Sequence, residues 1–265
     1  MLHQEVTLSQ DTLATVWHRE NLGVLHNTLA GVAYWHDDEG QRDALNRASG
    51  ELAQQGLLAG RDLDADFRDT LNLLARPSVE YYGWISTTDG ETTTHLSVLL
   101  AGTDQDAIMV VREGDKIQLS AARPDGLAET LVGMTPPVQP ARARSVNLPE
   151  AEISQLAAQR EASGKPLPDS AFTVFHRASM VDDAKELFAT AELPRIGGGQ
   201  LYVAARDRYG ERRRCPQPLL YIDTRQGRWM TQRSGAPGEQ WIVSAPASRQ
   251  LLISRLHEMR NALTG

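Results

Sequence analysis

Seven histidines, one cysteine and a few acidic runs are the raw material from which a reaction centre could be built in this chain. His3, His18, His26, His36, His95, His176 and His257 are scattered. His26 and His36 lie ten residues apart, which is not a metal-ligand spacing, and each histidine reads as a surface or satisfied core residue. Asp37-Asp38-Glu39 has the charge to hold a cation. At the start of a helix, however, the same three residues complement the positive end of the dipole, and that reading is preferred. Cys215 stands beside Arg212, Arg213 and Arg214, a setting that can activate a thiol. With no His or Asp partner near it in sequence, it reads as a plain small residue. Gly197-Gly198-Gly199 lacks the spacing of a dinucleotide loop, follows Pro194-Arg195-Ile196 rather than a strand, and reads as a hinge or turn. The chain has no phosphate loop ending in Gly-Lys-Ser/Thr, no His-Glu-x-x-His and no Gly-x-Ser-x-Gly elbow. The expectation is therefore no catalytic residue, no metal site and no cofactor.

Binding is the chemistry that remains. Arg206-Asp-Arg-Tyr-Gly-Glu-Arg-Arg-Arg214 is the one basic cluster, with Tyr209 inside it. It has the composition of a nucleic-acid patch. A net charge of −7 over the whole chain opposes that reading. The cluster is read instead as a solvated hairpin with charged residues guarding exposed strands. Trp35, Trp84, Trp229 and Trp241 suit a core or a sheet face. Trp84 or Trp229 is the type of residue that anchors a partner, because tryptophan is enriched at binding hot spots.

The elements that must position these residues change character at Arg76-Pro77. Before it, the pattern is helical. Ser9 is an N-cap ahead of Leu13, Val16 and Trp17, which fall on one face. Asp37 to Gln55 forms a second helix, with Leu45, Ala48 and Leu52 on its face. A third carries Phe67, Leu71 and Leu74 and stops at Arg76, since a residue before proline is pushed out of the α region. After it come four strands, Val79 to Thr88, Thr92 to Ala101, Ala107 to Arg112 and Lys116 to Ala121. Asp89-Gly90 and Glu113-Gly114-Asp115 make the turns, and such short connections imply an antiparallel meander. Pro124 to Met134 reads as a helix, and 135–144 as a proline-rich linker.

The second part repeats the order. A helix follows Pro149, and another begins at Ser179-Met-Val-Asp182, which resembles a capping box and places Val181, Ala184, Phe188 and Ala191 on one face. Strands follow at Gln200 to Asp207, Pro218 to Asp223, Gly227 to Gln232 and Gln240 to Ala245, and a last helix runs from Pro246 to about Leu263. Gly114-Asp-Lys-Ile-Gln-Leu-Ser-Ala121 aligns without gaps to Gly238-Glu-Gln-Trp-Ile-Val-Ser-Ala245. The fold class expected is α+β. It would have a central antiparallel sheet built from two meanders, helical subdomains, and an internal pseudo-two-fold with halves 1–134 and 145–265 in one domain.

At 265 residues, 41% hydrophobic and 23% charged, the chain can bury a sizeable core. Its N-terminus has neither the basic nor the apolar region of a signal peptide, and its apolar runs are too short to span a bilayer. A cytoplasmic protein is expected, with no membrane insertion, as a monomer or weak dimer.

Ala75-Arg-Pro-Ser-Val-Glu-Tyr-Tyr-Gly-Trp84 resembles the segment that enters the central sheet of the EspG family, cytosolic chaperones of type VII (ESX) secretion in actinobacteria. Leu52-Ala-x-x-Gly56-Leu-Leu, Ala121-Ala-Arg-Pro124, Ala141-Arg-Ala-Arg-Ser-Val146, Gln200-Leu-Tyr-Val-Ala-Ala-Arg-Asp207, Pro218-Leu-Leu-Tyr-Ile-Asp223 and Gly227-Arg-Trp229 agree with it in order. The resemblance covers nearly the whole chain, although the first helix departs from the pattern at Trp17 and in Leu22-Gly-Val-Leu-His26.

The resemblance implies binding rather than catalysis: capping the apolar helical tip of a PPE-like substrate in a PE–PPE-like or WXG-like pair. It also implies contacts from the sheet face, from the turn Thr88, Asp89, Gly90, Glu91 and Thr92, and from the helical region between Pro149 and Leu193, including Val181 and Phe188. Strand alternation puts Glu80, Tyr82 and Trp84 on one face, and Tyr82 and Trp84 are expected nearer the binding surface, with Trp229 as a further anchor. The rival readings are a structural or regulatory interaction module with another partner, and a small-molecule enzyme.

Overall fold

The computed structural model describes residues 1–31, 38–163, 175–236 and 238–264, without the side chains of 38, 156, 157, 159–163 and 175–182. Trp35, His36, Asp37, the stretch 164–168 and Phe172 lie outside these residues.

Strand β1 (Val6–Ser9) leads directly into helix α1 (Gln10–Arg19), and α2 (Asp38–Gln54) follows. Ser9 makes the first transition. Its Oγ accepts the Thr12 N–H at 3.2 Å, which caps α1, and donates to Glu51 Oε2 at 2.7 Å on α2. Leu13, Val16 and Trp17 are buried as their spacing requires. A small hairpin, β2 (Leu58–Ala59) and β3 (Asp62–Leu63), was not legible in the sequence. Asp64 then caps α3 (Ala65–Ala75) through the Phe67 N–H, and Phe67, Leu71 and Leu74 face inward.

The meander follows as β4 (Val79–Asp89), β5 (Thr92–Gly102), β6 (Ala107–Glu113) and β7 (Lys116–Ala122), within a residue or two of the expected strands. Two-residue turns join β4 to β5 and β6 to β7, with Gly90 and Gly114 each at φ +60°, where glycine alone carries no Cβ penalty. A 3₁₀ turn (Pro124–Gly126) opens α4 (Leu127–Gly133).

In the second part β8 (Val146–Pro149) precedes α5 (Glu150–Ser163) and α6 (Phe175–Glu192). Helix α6 thus starts upstream of Ser179, so the capping-box start at that residue is not used. Then come β9 (Arg195–Arg206), β10 (Arg212–Arg214), β11 (Leu219–Thr224), β12 (Gly227–Ser234), β13 (Trp241–Pro246) and α7 (Arg249–Thr264). The glycine triplet expected as a hinge is strand: Gly197 to Gly199 lie inside β9. The reason is a close approach, since a Cβ at Gly198 would meet the Tyr221 carbonyl oxygen at 2.8 Å.

The main sheet is antiparallel, with 11 strands, and the fold is mixed α and β as expected. The chain divides into two compact units. The first contains Met1–Pro136, Leu201–Cys215 and Leu256–Gly265, the second Pro137–Gln200 and Pro216–Arg255. These boundaries differ from a cut at the proline-rich stretch, because Leu201–Arg206 of β9 pairs within the first unit and the chain end returns to it.

In the first unit the strand order is β1-β7-β6-β5-β4-β9, with β10 pairing β9. Its core gathers Leu8, Leu13, Trp17, Phe67, Leu71, Leu99, Val110 and Leu119, all buried.

In the second unit the order is β9-β11-β12-β13-β8. Arg228 Nε and Nη2 donate to Asp223 Oδ1 and Oδ2 at 2.6 and 2.7 Å. Both side chains are buried, and the guanidinium lies over the Tyr221 ring. The stretch read as a linker runs beside β12: Arg228 N–H donates to Gln139 O at 2.7 Å and Ala141 N–H to Arg228 O at 3.1 Å. A Cβ at Gly227, which has φ +120°, would strike Ala141 at 2.6 Å. In each unit a short strand leading into a helix pairs with the last strand of the meander, β1 with β7 and β8 with β13.

Among the described residues no helix is long and apolar enough to cross a membrane, and no cluster of His, Cys, Asp and Glu could hold a metal ion.

Candidate partner-binding surface

Strand β4 sets the site. Its alternation sends Glu80, Tyr82 and Trp84 to one face, and its register places Tyr82 opposite Leu99 and Trp84 opposite Ser97. The Tyr82 ring is 1% exposed. Tyr202, from β9, stacks on it with centroids 5.2 Å apart and an interplanar angle of 8°. Trp84 meets Tyr82 edge-on at 6.0 Å and Tyr202 edge-on at 5.8 Å. These separations lie in the range where ring quadrupoles attract, so the three rings hold one another in place. Trp84 and Tyr202 are half-buried at the margin of the first unit's core. They are the aromatic rings that remain partly open on this face, and Tyr82 is the floor that supports them.

An ionic cluster lies next to the rings. Glu80 is 4% exposed in the otherwise apolar and aromatic stretch Val79 to Ile85 of β4. Arg212, from β10, grips it with two nitrogens, Nε to Oε1 at 2.8 Å and Nη2 to Oε2 at 2.5 Å. His26 Nε2 stands 3.3 Å from the same carboxylate, and the imidazole packs edge-on against Tyr82 at 4.6 Å. On the other side of the ring, His26 Nδ1 lies 2.7 Å from Thr28 Oγ1 and 3.3 Å from the Thr28 backbone nitrogen, and Arg212 Nη2 lies 3.3 Å from Nε2. Burial by itself would raise the Glu80 carboxyl. The hydrogen bonds from Arg212 and His26 and the Arg212 charge outweigh it and hold the group at about 2. Arg112, on β6, fastens the neighbouring segment by donating from Nε to Thr28 O at 3.0 Å and from Nη2 to Ser97 Oγ at 3.3 Å.

The remaining expected contacts are placed separately. Asp89, Gly90, Glu91 and Thr92 form the exposed end of the β4–β5 hairpin, and Thr88 Oγ1 lies 3.1 Å from Thr93 Oγ1 across it. In the second unit Trp229 is 4% exposed, so its role there is in the interior. Phe188 is half-buried against Val146, Leu148 and Ala184. The Val181 side chain lies outside the described residues.

Sequence reasoning did not connect His26, Glu80, Tyr202, Arg212 and Arg214 to this surface. A carboxylate inside the apolar string Val79 to Ile85 was the available signal, because a buried charge requires a partner. Cys215, the one thiol, is buried and donates to the Met259 carbonyl at 3.3 Å. Burial pushes the thiol up, away from the activated state.

Comparison with known proteins places this geometry. The model of the EspG family matches residues 9–258. The chain belongs to the EspG family. No curated protein matches the chain. Among solved structures, the Mycobacterium tuberculosis type VII secretion system chaperone EspG5, determined in complex with the PE25–PPE41 dimer, is similar at a TM-score of 0.72. The identity is 16%, and the match covers 97% of this chain and 96% of that one. The likeness is one of fold.

Proposed function

We propose that this chain is a type VII secretion chaperone that binds the apolar tip of a PPE-like substrate, in a PE–PPE-like or WXG-like pair, and keeps it soluble for export. The observation that carries the reading is EspG family membership over almost the entire chain. The solved relative captured with its PE25–PPE41 partner supports it. Its physical rationale is that an apolar helix tip aggregates unless covered, and half-buried aromatic rings on a rigid strand are suited to covering it. Trp84 and Tyr202 supply the apolar contact on the first unit, with the Thr88 to Thr92 turn as a further contact, and the helical surface around Phe188 on the second unit is a separate expected contact. The role is binding without catalysis, and the compartment is the cytosol.

Co-expression with candidate PE–PPE-like pairs tests the proposal. The expected result is a soluble complex of the chain with one pair that coelutes on size exclusion, while the pair alone aggregates. A stable chain that captures none of the pairs from its own organism would overturn it.

A further inference from the structure

The basic hairpin between β9 and β10 has an uneven charge economy. It contains five arginines and two carboxylates in residues 206–214, on a chain whose net charge is −7. Three of the arginines are committed. Arg206 donates to the Pro77 and Gly210 carbonyls, at 3.1 and 2.9 Å. Arg212 is held by Glu80, and Arg213 Nε lies 3.0 Å from Asp207 Oδ2. Arg208 and Arg214 differ. Both are exposed, and among the described residues neither has a carboxylate within ion-pair reach. Their nearest partners are aromatic: Arg208 sits over the Tyr209 ring at 4.9 Å and Arg214 over the Tyr202 ring at 5.5 Å.

Arg214 therefore borders the Tyr202–Trp84 surface directly. The pairing of Arg214 with Ala204 puts it on the Tyr202 face of the sheet, and alternation puts Arg213 on the other face. Tyr209, 77% exposed, stands at the hairpin tip beneath Arg208.

We propose that Arg208 and Arg214 form a cationic rim to the aromatic surface, and that the rim selects substrates carrying carboxylates beside the apolar residues of the helical tip. This rests on the chaperone reading and adds the chemistry of its specificity. The apolar tip buries against Trp84 and Tyr202, and its neighbouring carboxylates meet the two arginines that the fold leaves without an anion. Rim charges act mainly through long-range steering and rejection of wrong partners, so their signature is in the association rate and its salt dependence.

The test uses the full chain and a pair that it captures, with association followed by surface plasmon resonance as salt is raised from about 0.05 to about 0.5 M, a range over which screening of exposed charges becomes short. The association rate of the unsubstituted chain is expected to fall on the order of tenfold. The Arg208→Gln/Arg214→Gln variant is expected to associate at the slow, salt-independent rate throughout. Arg213→Gln, which removes one positive charge from the opposite face where the double variant removes two, is expected to behave as the unsubstituted chain. Thermal unfolding confirms that each variant is folded. Capture that is insensitive to salt and to the double substitution overturns the rim while leaving the chaperone reading intact. Failure of the unsubstituted chain to capture any pair overturns both. Copurifying nucleic acid that is lost in the same double variant would also overturn the rim, by assigning the arginines to a different partner.

Discussion

Glu80 and Arg212 make the sharpest residue-scale statement in the molecule, because a carboxylate 4% exposed survives ionised only with its partner. Arg212→Ala removes its main partner and is expected to destabilise the chain by about 1–3 kcal/mol in chemical denaturation, less than for a fully buried pair because the Arg212 side chain is itself 36% exposed and His26 remains beside the carboxylate. Replacing both residues together with apolar ones of similar volume is expected to cost much less, since no charge is then left unpaired. The same pair predicts a pH dependence. The folded carboxyl is held at about 2 against an ordinary value of 4.5. A depressed carboxylate contributes stability that is present above the unfolded value and is lost as pH falls through the folded one. Unfolding free energy should thus decline between about pH 5 and pH 2, and Glu80→Gln should remove that component and flatten the acid limb. An unchanged acid limb in Glu80→Gln would contradict the assignment of the ionised state.

At the scale of elements, Gly198 and Gly227 show how strands come close enough to pair. Gly198→Ala puts a methyl group 2.8 Å from a backbone oxygen that cannot move aside without disturbing β11. A loss of about 1–3 kcal/mol is expected, measured by thermal or urea unfolding. This is also the element that the sequence misled about. Three consecutive glycines read locally as a hinge, and the close approach that demands them comes from Tyr221, more than twenty residues on. Long periodic elements were legible, because Leu13, Val16 and Trp17, or the alternation along β4 and β5, advertise their faces without knowledge of the rest of the chain. Strands β8 and β10 were not, being 4 and 3 residues long. The site was half legible for the same reason. Trp84 stood out by residue type as a candidate anchor, and it lies half-buried against Tyr82 and Tyr202. His26, Glu80 and Arg212 meet only after folding, from positions 54 and 132 residues apart.

For the whole molecule, the proposed binding role rests on two features: half-buried aromatic rings on the sheet, and the arginines beside them on a chain of opposite net charge. Trp84→Ala separates the roles. Its ring is only part of the margin of the core, so the account expects partner capture to weaken by tenfold or more, a hot-spot loss of about 1.4 kcal/mol or greater, with a smaller change in stability. A variant that loses stability and keeps capture would make Trp84 a packing residue alone and would move the contact elsewhere on the chain. The most direct measurement of the central claim is size-exclusion chromatography of the chain co-expressed with each PE–PPE-like pair of its organism. The account predicts a stoichiometric complex with a cognate pair that the Trp84→Ala chain fails to retain, and free chain beside insoluble pairs in every case would contradict it.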